Sequence, residues 1–271
     1  MKTMLVSVLL LLVGGVAAPA ETLQIEGSTT VGPIADAFAG YFKTVYPDLQ
    51  ITVNQTGSGD GAAALIDGRC DIADMSRFMK ADEFAKAVGK GVLPVAHVVA
   101  MDGVCVVLHP SNPVSALTKA QIRDIYAGKI TNWSQVGGVN ALIVAISRDT
   151  SSGTYETFET LVMAGQKMGP GVEYVNSNPQ AQARVKTTQG AIGYVGLGFV
   201  DSSVKAVKVD QILPTRQTIT SGTYPVARPL FMFTNGYPKL GSMVHKFCTF
   251  YLTEKGQELV EAKGFVPLTD Y

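Results

Sequence analysis

The chain has 271 residues, 46% hydrophobic and only 16% charged, against about 25% charged in an average soluble protein. Lys+Arg and Asp+Glu both number 22, and this balance argues against nucleic-acid binding, which usually shows as a basic excess. The apolar fraction excludes general disorder, and 28 Gly with 13 Pro imply many tight turns without a collagen-like period.

In chain order, Met1-Lys2-Thr3 is a short basic start, Met4 to Val16 is almost wholly apolar, and Ala18-Pro19-Ala20 follows. That succession reads as a secretory signal peptide, Met1 to Ala20, cut after Ala20. The apolar stretch is short for a membrane span and no second one follows. The expected product is exported and soluble, as in a Gram-negative periplasm.

Leu23-Gln24-Ile25 alternates and stops at Gly27, predicting a strand; Pro33 then opens a helix with Ile34, Phe38, Tyr41, Phe42 and Val45 on one face. Gln50 to Asn54 is a second alternating strand, followed by a glycine turn and a helix from Ala62, and Asp71-Ile72-Ala73 a third. Strand, glycine turn and helix in repetition predict an α/β fold, a parallel sheet covered on both faces. The later half uses the same order without repeating the sequence. Strands are expected at Leu142–Ser147, Val172–Val175 and Ala191–Val195, and helices at Gly153–Met163 and Pro179–Thr187. Val104 to Leu108 and Pro225 to Phe233 read as connecting strands, and Lys239 to Lys263 as one long C-terminal helix. The chain would leave one lobe, build a second and return. Lobe I would hold 21–108 and 225–271, and lobe II 109–224.

Three turns share one design: Gly27-Ser28-Thr29-Thr30, Gly57-Ser58-Gly59-Asp60-Gly61 and Ser151-Ser152-Gly153-Thr154 each precede a helix. Each puts hydroxyls and unpaired backbone N–H groups at a helix N-terminus, where the dipole is positive. Any one of them is explained by ordinary capping. Three of them, with Arg148 beside the third, would surround an oxyanion with donors and need little net positive charge. Arg148 could otherwise be a surface arginine paired with Asp149.

Enzyme signatures are scarce. There is no GxxxxGK[ST] and no GxSxG elbow, and His97, His109 and His245 lack HExxH spacing. Cys70, Cys105 and Cys248 show no metal-ligand spacing; they allow one disulfide and a free thiol, or three thiols. No metal, no cofactor and no catalytic residue is expected. Trp133 reads as a packing anchor.

Gln121 to Gly138, QIRDIYAGKITNWSQVGG, resembles the IxxIFxGxITNWxxVGG segment of phosphate-specific periplasmic solute-binding proteins, the receptor subunits of Pst-type ABC phosphate importers. Arg148 to Thr154 is similar to that family's R-x-x-x-S-G-T loop, and Gly27–Thr30 and Gly57–Gly59 resemble its first two loops. The likeness runs in order through essentially the whole mature chain. It implies a type II periplasmic-binding-protein fold, two α/β lobes joined by a two-strand hinge with the ligand cleft between them. It assigns phosphate contacts to Thr29, Thr30, Ser58, Ser76, Arg148, Ser152, Gly153 and Thr154, with Ser28, Gly59, Asp74 and Arg77 as supporting groups or proton acceptor. The ITNW segment would build lobe II. The implied partners are inorganic phosphate and ABC permease subunits, with no nucleic acid, and the implied state is a monomer.

One departure matters. Well-known members carry an Asp eighteen residues after the second-loop serine, where it accepts the proton of hydrogen phosphate; this chain has Ser76 there, followed by Arg77. Asp74 is the nearest carboxylate, and in a regular strand residues 74 and 76 share a face. Asp74 is therefore expected either to supply the missing acceptor or to brace an arginine. The alternatives to a phosphate receptor are a receptor for another tetrahedral oxyanion such as sulfate, a secreted phosphoester hydrolase, and an extracellular phosphate sensor or adhesion protein.

Overall fold

The structure is a computed structural model and describes residues 21–269. The expected signal peptide lies outside the described residues. Three strands open the chain: β1 (Thr22–Gly27), β2 (Gln50–Gln55) and β3 (Ile72–Met75). α1 (Gly32–Val45) and α2 (Ser58–Ile66) connect them, and α3 (Ala81–Gly89) follows. β1 pairs in parallel with β2 on one side and β3 on the other. The alternation at Leu23 and Ile25 is what drives this. Both side chains are fully buried against α1, whose Ile34, Phe38 and Phe42 lie on its inner face.

β4 (Pro94–Leu108) is fifteen residues long, and the strand expected at Val104–Leu108 is its last third. β5 (Ala116–Leu117), α4 (Lys119–Tyr126), β6 (Val144–Arg148), α5 (Gly153–Phe158), β7 (Glu173–Val175), α6 (Asn178–Lys186) and β8 (Ala191–Gly196) build the second lobe. β9 (Lys205–Ala206), β10 (Lys208–Val209) and α7 (Arg216–Thr220) complete it. β11 (Ala227–Asn235) then returns to the first lobe, followed by α8 (Met243–Cys248) and α9 (Glu254–Ala262).

The strand order is β2-β1-β3-β11-β4-β8-β6-β7. The sheet is mixed rather than parallel, because β11 runs antiparallel to both β3 and β4, and β4 antiparallel to β8. β4 carries both lobes: its residues 94–103 pair with β11, and 104–108 pair with β8. Strand pairing thus changes hands at Gly103/Val104, inside β4, before the boundary expected at 108.

The long C-terminal helix expected over Lys239–Lys263 is three pieces. α8 ends at Cys248, a short 3-10 turn covers Phe250–Leu252, and α9 begins at Glu254. Thr253 breaks the run because its hydroxyl caps α9, accepting from Gly256 N at 3.0 Å. The break lets Phe250 turn into an aromatic cluster with Phe38, Tyr41 and Phe42, at ring separations of 5.0–5.3 Å. Burying such rings is worth about 1.5–3 kcal/mol each. In lobe II the ITNW segment feeds the core through Trp133, with Ile130 packed partly against it. Trp133 is 1% exposed and its indole N–H donates to Gly190 O at 2.9 Å. In the same cluster Phe158 of α5 stacks on Tyr194 of β8 at 4.0 Å. All three cysteines are free thiols, and among the described residues no helix is long and apolar enough to cross a membrane.

Candidate anion site between the lobes

The ends of β1, β3 and β6 point their following loops at one another. Gly27 must be glycine: its φ is +139°, and a Cβ there would sit 2.2 Å from Asp74 O. The chain can therefore turn tightly over β3, with Ser28 N donating to Asp74 O at 2.8 Å. The Ser28 hydroxyl accepts from Thr30 N (3.1 Å) and Val31 N (3.3 Å), so it caps the turn into α1. Thr29 and Thr30, 4% and 1% exposed, are left with their hydroxyls facing inward.

In the second loop Ser58 begins α2, and its hydroxyl accepts from Ser76 N at 3.0 Å and lies 3.3 Å from the Ser76 hydroxyl. From lobe II, Ser152 caps α5 by accepting from Tyr155 N at 3.2 Å. Gly153 then passes so close to the other lobe that a Cβ would lie 2.4 Å from Ser58 Oγ and 2.7 Å from Ser76 Oγ. Thr154 brings its hydroxyl to 3.0 Å from that of Thr30. Gly59 N donates to Ser151 O at 2.9 Å, which spends its N–H on joining the loops. The expected set Thr29, Thr30, Ser58, Ser76, Gly153 and Thr154 is thus brought together in one buried cluster, with Ser28, Ser152 and Gly59 supporting the loops.

Arg148, at the end of β6, is 1% exposed. Its Nε and Nη2 donate to Val175 O (3.3 Å) and Asn176 O (2.8 Å), while Nη1 is buried with no hydrogen-bond partner. Asp149 is 3.8 Å away and spends Oδ1 on Ser151. Burial pulls the Arg148 guanidinium down to about 10, so it stays charged at neutral pH. A buried cation with one free fork of donors is well suited to an anion.

Two expected groups stand apart. Arg77 is turned away: it is bidentate to Glu83 at 2.7 Å and pairs through Nε with Glu156 of α5. Lys80 joins the same Glu156 at 2.6 Å, so these cations tie lobe I to lobe II beside the site. Asp74 makes no hydrogen bond to any of the hydroxyls, and its Oδ1 is buried without a partner. Burial, then the charge of Asp36, pushes its carboxyl well above the usual range. By strand parity Asp74 shares the α1 face with Ile72, whereas Ser76 lies beyond the strand end and turns toward Ser58.

The sequence reading missed three residues. Arg228 of β11 is 4% exposed and is held by Asp102 of β4 through Nε (3.0 Å) and Nη2 (2.8 Å). Its Nη2 also donates to Thr154 Oγ1 (3.0 Å) and Thr30 Oγ1 (3.4 Å), and its Nη1 to Ser76 O (3.0 Å). Burial pushes the Asp102 carboxyl up while Arg228 pulls it back. Asn178, the first residue of α6, donates to the Thr29 and Thr30 hydroxyls. A signal for the ion pair was present, since Asp102 and Arg228 are lone charges inside apolar strands, where an unpaired charge would be very costly. Beside Arg228 a groove of about 380 Å³ is lined by Arg77, Phe78, Glu156, Leu161 and Phe231 from both lobes.

Two α/β lobes hinged on β4 and β11, with polar donors from both converging on one buried point, define a periplasmic-binding-protein fold. The model of the PBP superfamily domain matches residues 14–255. The phosphate-binding protein PstS of Staphylococcus epidermidis is 33% identical over 253 residues, covering 89% of this chain and 77% of that protein. A phosphate ABC transporter substrate-binding protein from Clostridium perfringens, solved with bound phosphate, superposes with a TM-score of 0.83 at 35% identity, covering 92% of this chain and 100% of that one. An ABC-type phosphate transport receptor from Vibrio cholerae gives 0.74 at 32% identity, covering 90% and 99%. The chain belongs to the PstS family of phosphate-binding proteins within that superfamily.

Proposed function

We propose that this chain binds inorganic phosphate between its lobes and delivers it to an ABC-type membrane permease. The observation that carries this reading is the meeting of Thr30 and Thr154 across the cleft, 3.0 Å apart, under the Arg228 guanidinium. Hydroxyls and backbone groups give a tetrahedral oxyanion many donors, and two buried arginines set against Asp102 supply modest net charge. Thr29, Thr30, Ser58, Ser76, Arg148, Ser152, Gly153 and Thr154 form the proposed contact set, and Arg228 and Asn178 join it. The fold of a solute receptor, without a nucleophile–base pair at the cluster, supports binding rather than hydrolysis.

The proposed lobe I holds 21–108 and 225–271 with the pivot inside β4, and lobe II holds 109–224. Export through the signal peptide Met1 to Ala20, a periplasmic location, a monomeric state and docking on permease subunits complete the reading. Calorimetric titration of ligand-stripped protein with phosphate, arsenate and sulfate tests it. Tight phosphate binding with sulfate weaker is expected; sulfate binding as tightly as phosphate, or no phosphate binding, overturns it.

A further inference from the structure

Asn178 is fully buried, and every hydrogen-bonding atom of its amide is engaged. Its Oδ1 accepts from Gly196 N at 3.2 Å. A backbone N–H can only donate, so the oxygen must face Gly196 and the amide nitrogen must face away from it. That nitrogen has two protons, and it spends them on Thr29 Oγ1 at 3.1 Å and Thr30 Oγ1 at 2.8 Å. Asn178 and Gly196 belong to lobe II, while both threonines belong to the loop after β1.

A threonine hydroxyl can donate once and accept twice. Once Asn178 has donated to it, each hydroxyl has an acceptor position filled; the Thr29 proton is left to offer, and the Thr30 hydroxyl, 3.0 Å from that of Thr154, must give up that contact to donate to an oxyanion set between them. Thr30 Oγ1 also lies 3.4 Å from Arg228 Nη2, whose two protons serve Asp102 Oδ2 at 2.8 Å and Thr154 Oγ1 at closer range. Thr154 accepts from the same guanidinium nitrogen at 3.0 Å. We propose that Asn178 is a positioning residue that turns the Thr29 and Thr30 hydroxyls into dedicated donors to the bound oxyanion, and does so when the lobes are closed. The inference rests on the phosphate reading above.

The test is a double-mutant cycle read by calorimetric titration with inorganic phosphate, with melting temperatures of the ligand-free variants as the control for folding. The arms are Asn178→Ala, Thr29→Val with Thr30→Val, and all three changes together. Asn178→Ala should weaken binding about tenfold in the native background, the worth of one to two hydrogen bonds to a charged group. With both threonines already valine, it should change affinity less than about twofold, because Asn178 would have nothing left to orient. The same factor in both backgrounds would show a purely structural residue and overturn the inference. Should the triple variant fail to fold, Asn178→Asp decides. It keeps the shape but accepts where Asn178 donates, so it should bind more weakly than Asn178→Ala, and wild-type affinity would overturn the inference. A wild-type chain that binds no phosphate would instead overturn the functional reading itself.

Discussion

Gly153→Ala separates closure from folding. The added methyl would sit 2.4 Å from Ser58 Oγ, 2.7 Å from Ser76 Oγ and 3.0 Å from Ser58 Cβ. Every one of these atoms belongs to the opposite lobe, and Gly153 itself lies in ordinary helical backbone at the start of α5. The local cost of alanine is therefore small, and the clash exists only when the lobes meet. Ser58 cannot swing freely aside, because its hydroxyl is fixed by Ser76 N. Forcing one methyl into such a contact costs about 1–3 kcal/mol. Charged wholly to the closed state, that is about a 5–150-fold loss of phosphate affinity. Calorimetry gives the affinity, and small-angle scattering with and without phosphate gives the closure. The wild type should shrink in radius of gyration on adding phosphate. The variant should shrink only at higher phosphate, with an unchanged melting temperature when ligand-free. Wild-type affinity in Gly153→Ala would refute the argument that this glycine is dictated by approach across the cleft.

Two further outcomes follow from buried charge. Arg148→Ala should cost about 2–4 kcal/mol of phosphate binding, more than tenfold, and Arg148→Lys should recover part of it, since an ammonium lacks the planar fork; unchanged titrations would reduce Arg148 to a brace for Val175 and Asn176. The Asp74 carboxyl is raised above its ordinary 3.8 by burial, so the unfolded chain loses this proton first and native stability falls as pH climbs from 3.8 through the raised value. Asn at this position carries no such penalty: Asp74→Asn should melt higher than wild type at pH 7, with the gap closing towards pH 4, and should leave the phosphate-over-sulfate preference in place. A narrowed preference would return Asp74 to the ligand.

Much of this architecture could be read in the residues. The alternation of Leu23 and Ile25, Pro33 and the three Gly-Ser-Thr turns located β1, α1 and the donor loops, because each is decided locally by backbone sterics and capping. What escaped depends on partners distant in sequence. The first two thirds of β4, residues 94–103, are interrupted in pattern by His97, Asp102 and Gly103, and become a strand because β11 pairs along them. Asp102 and Arg228 make sense only as a pair 126 positions apart. Asn178 reads as the start of a helix until α6 is folded against the loop of Thr29. The single C-terminal helix failed because a threonine cap at 253 outweighs a continuous apolar periodicity.

The Arg228–Asp102 pair sits on β11 and β4, the two strands about which the lobes turn. A charge mounted on a pivot hardly travels when the arms swing. On the proposed closure the guanidinium would face the cleft before as well as after it, while the hydroxyls of Thr30 and Thr154 would arrive only with their lobes. Capture and inspection would then be divided in time: the fixed cation would draw in a small anion, and the geometry of the arriving donors would decide which one is kept.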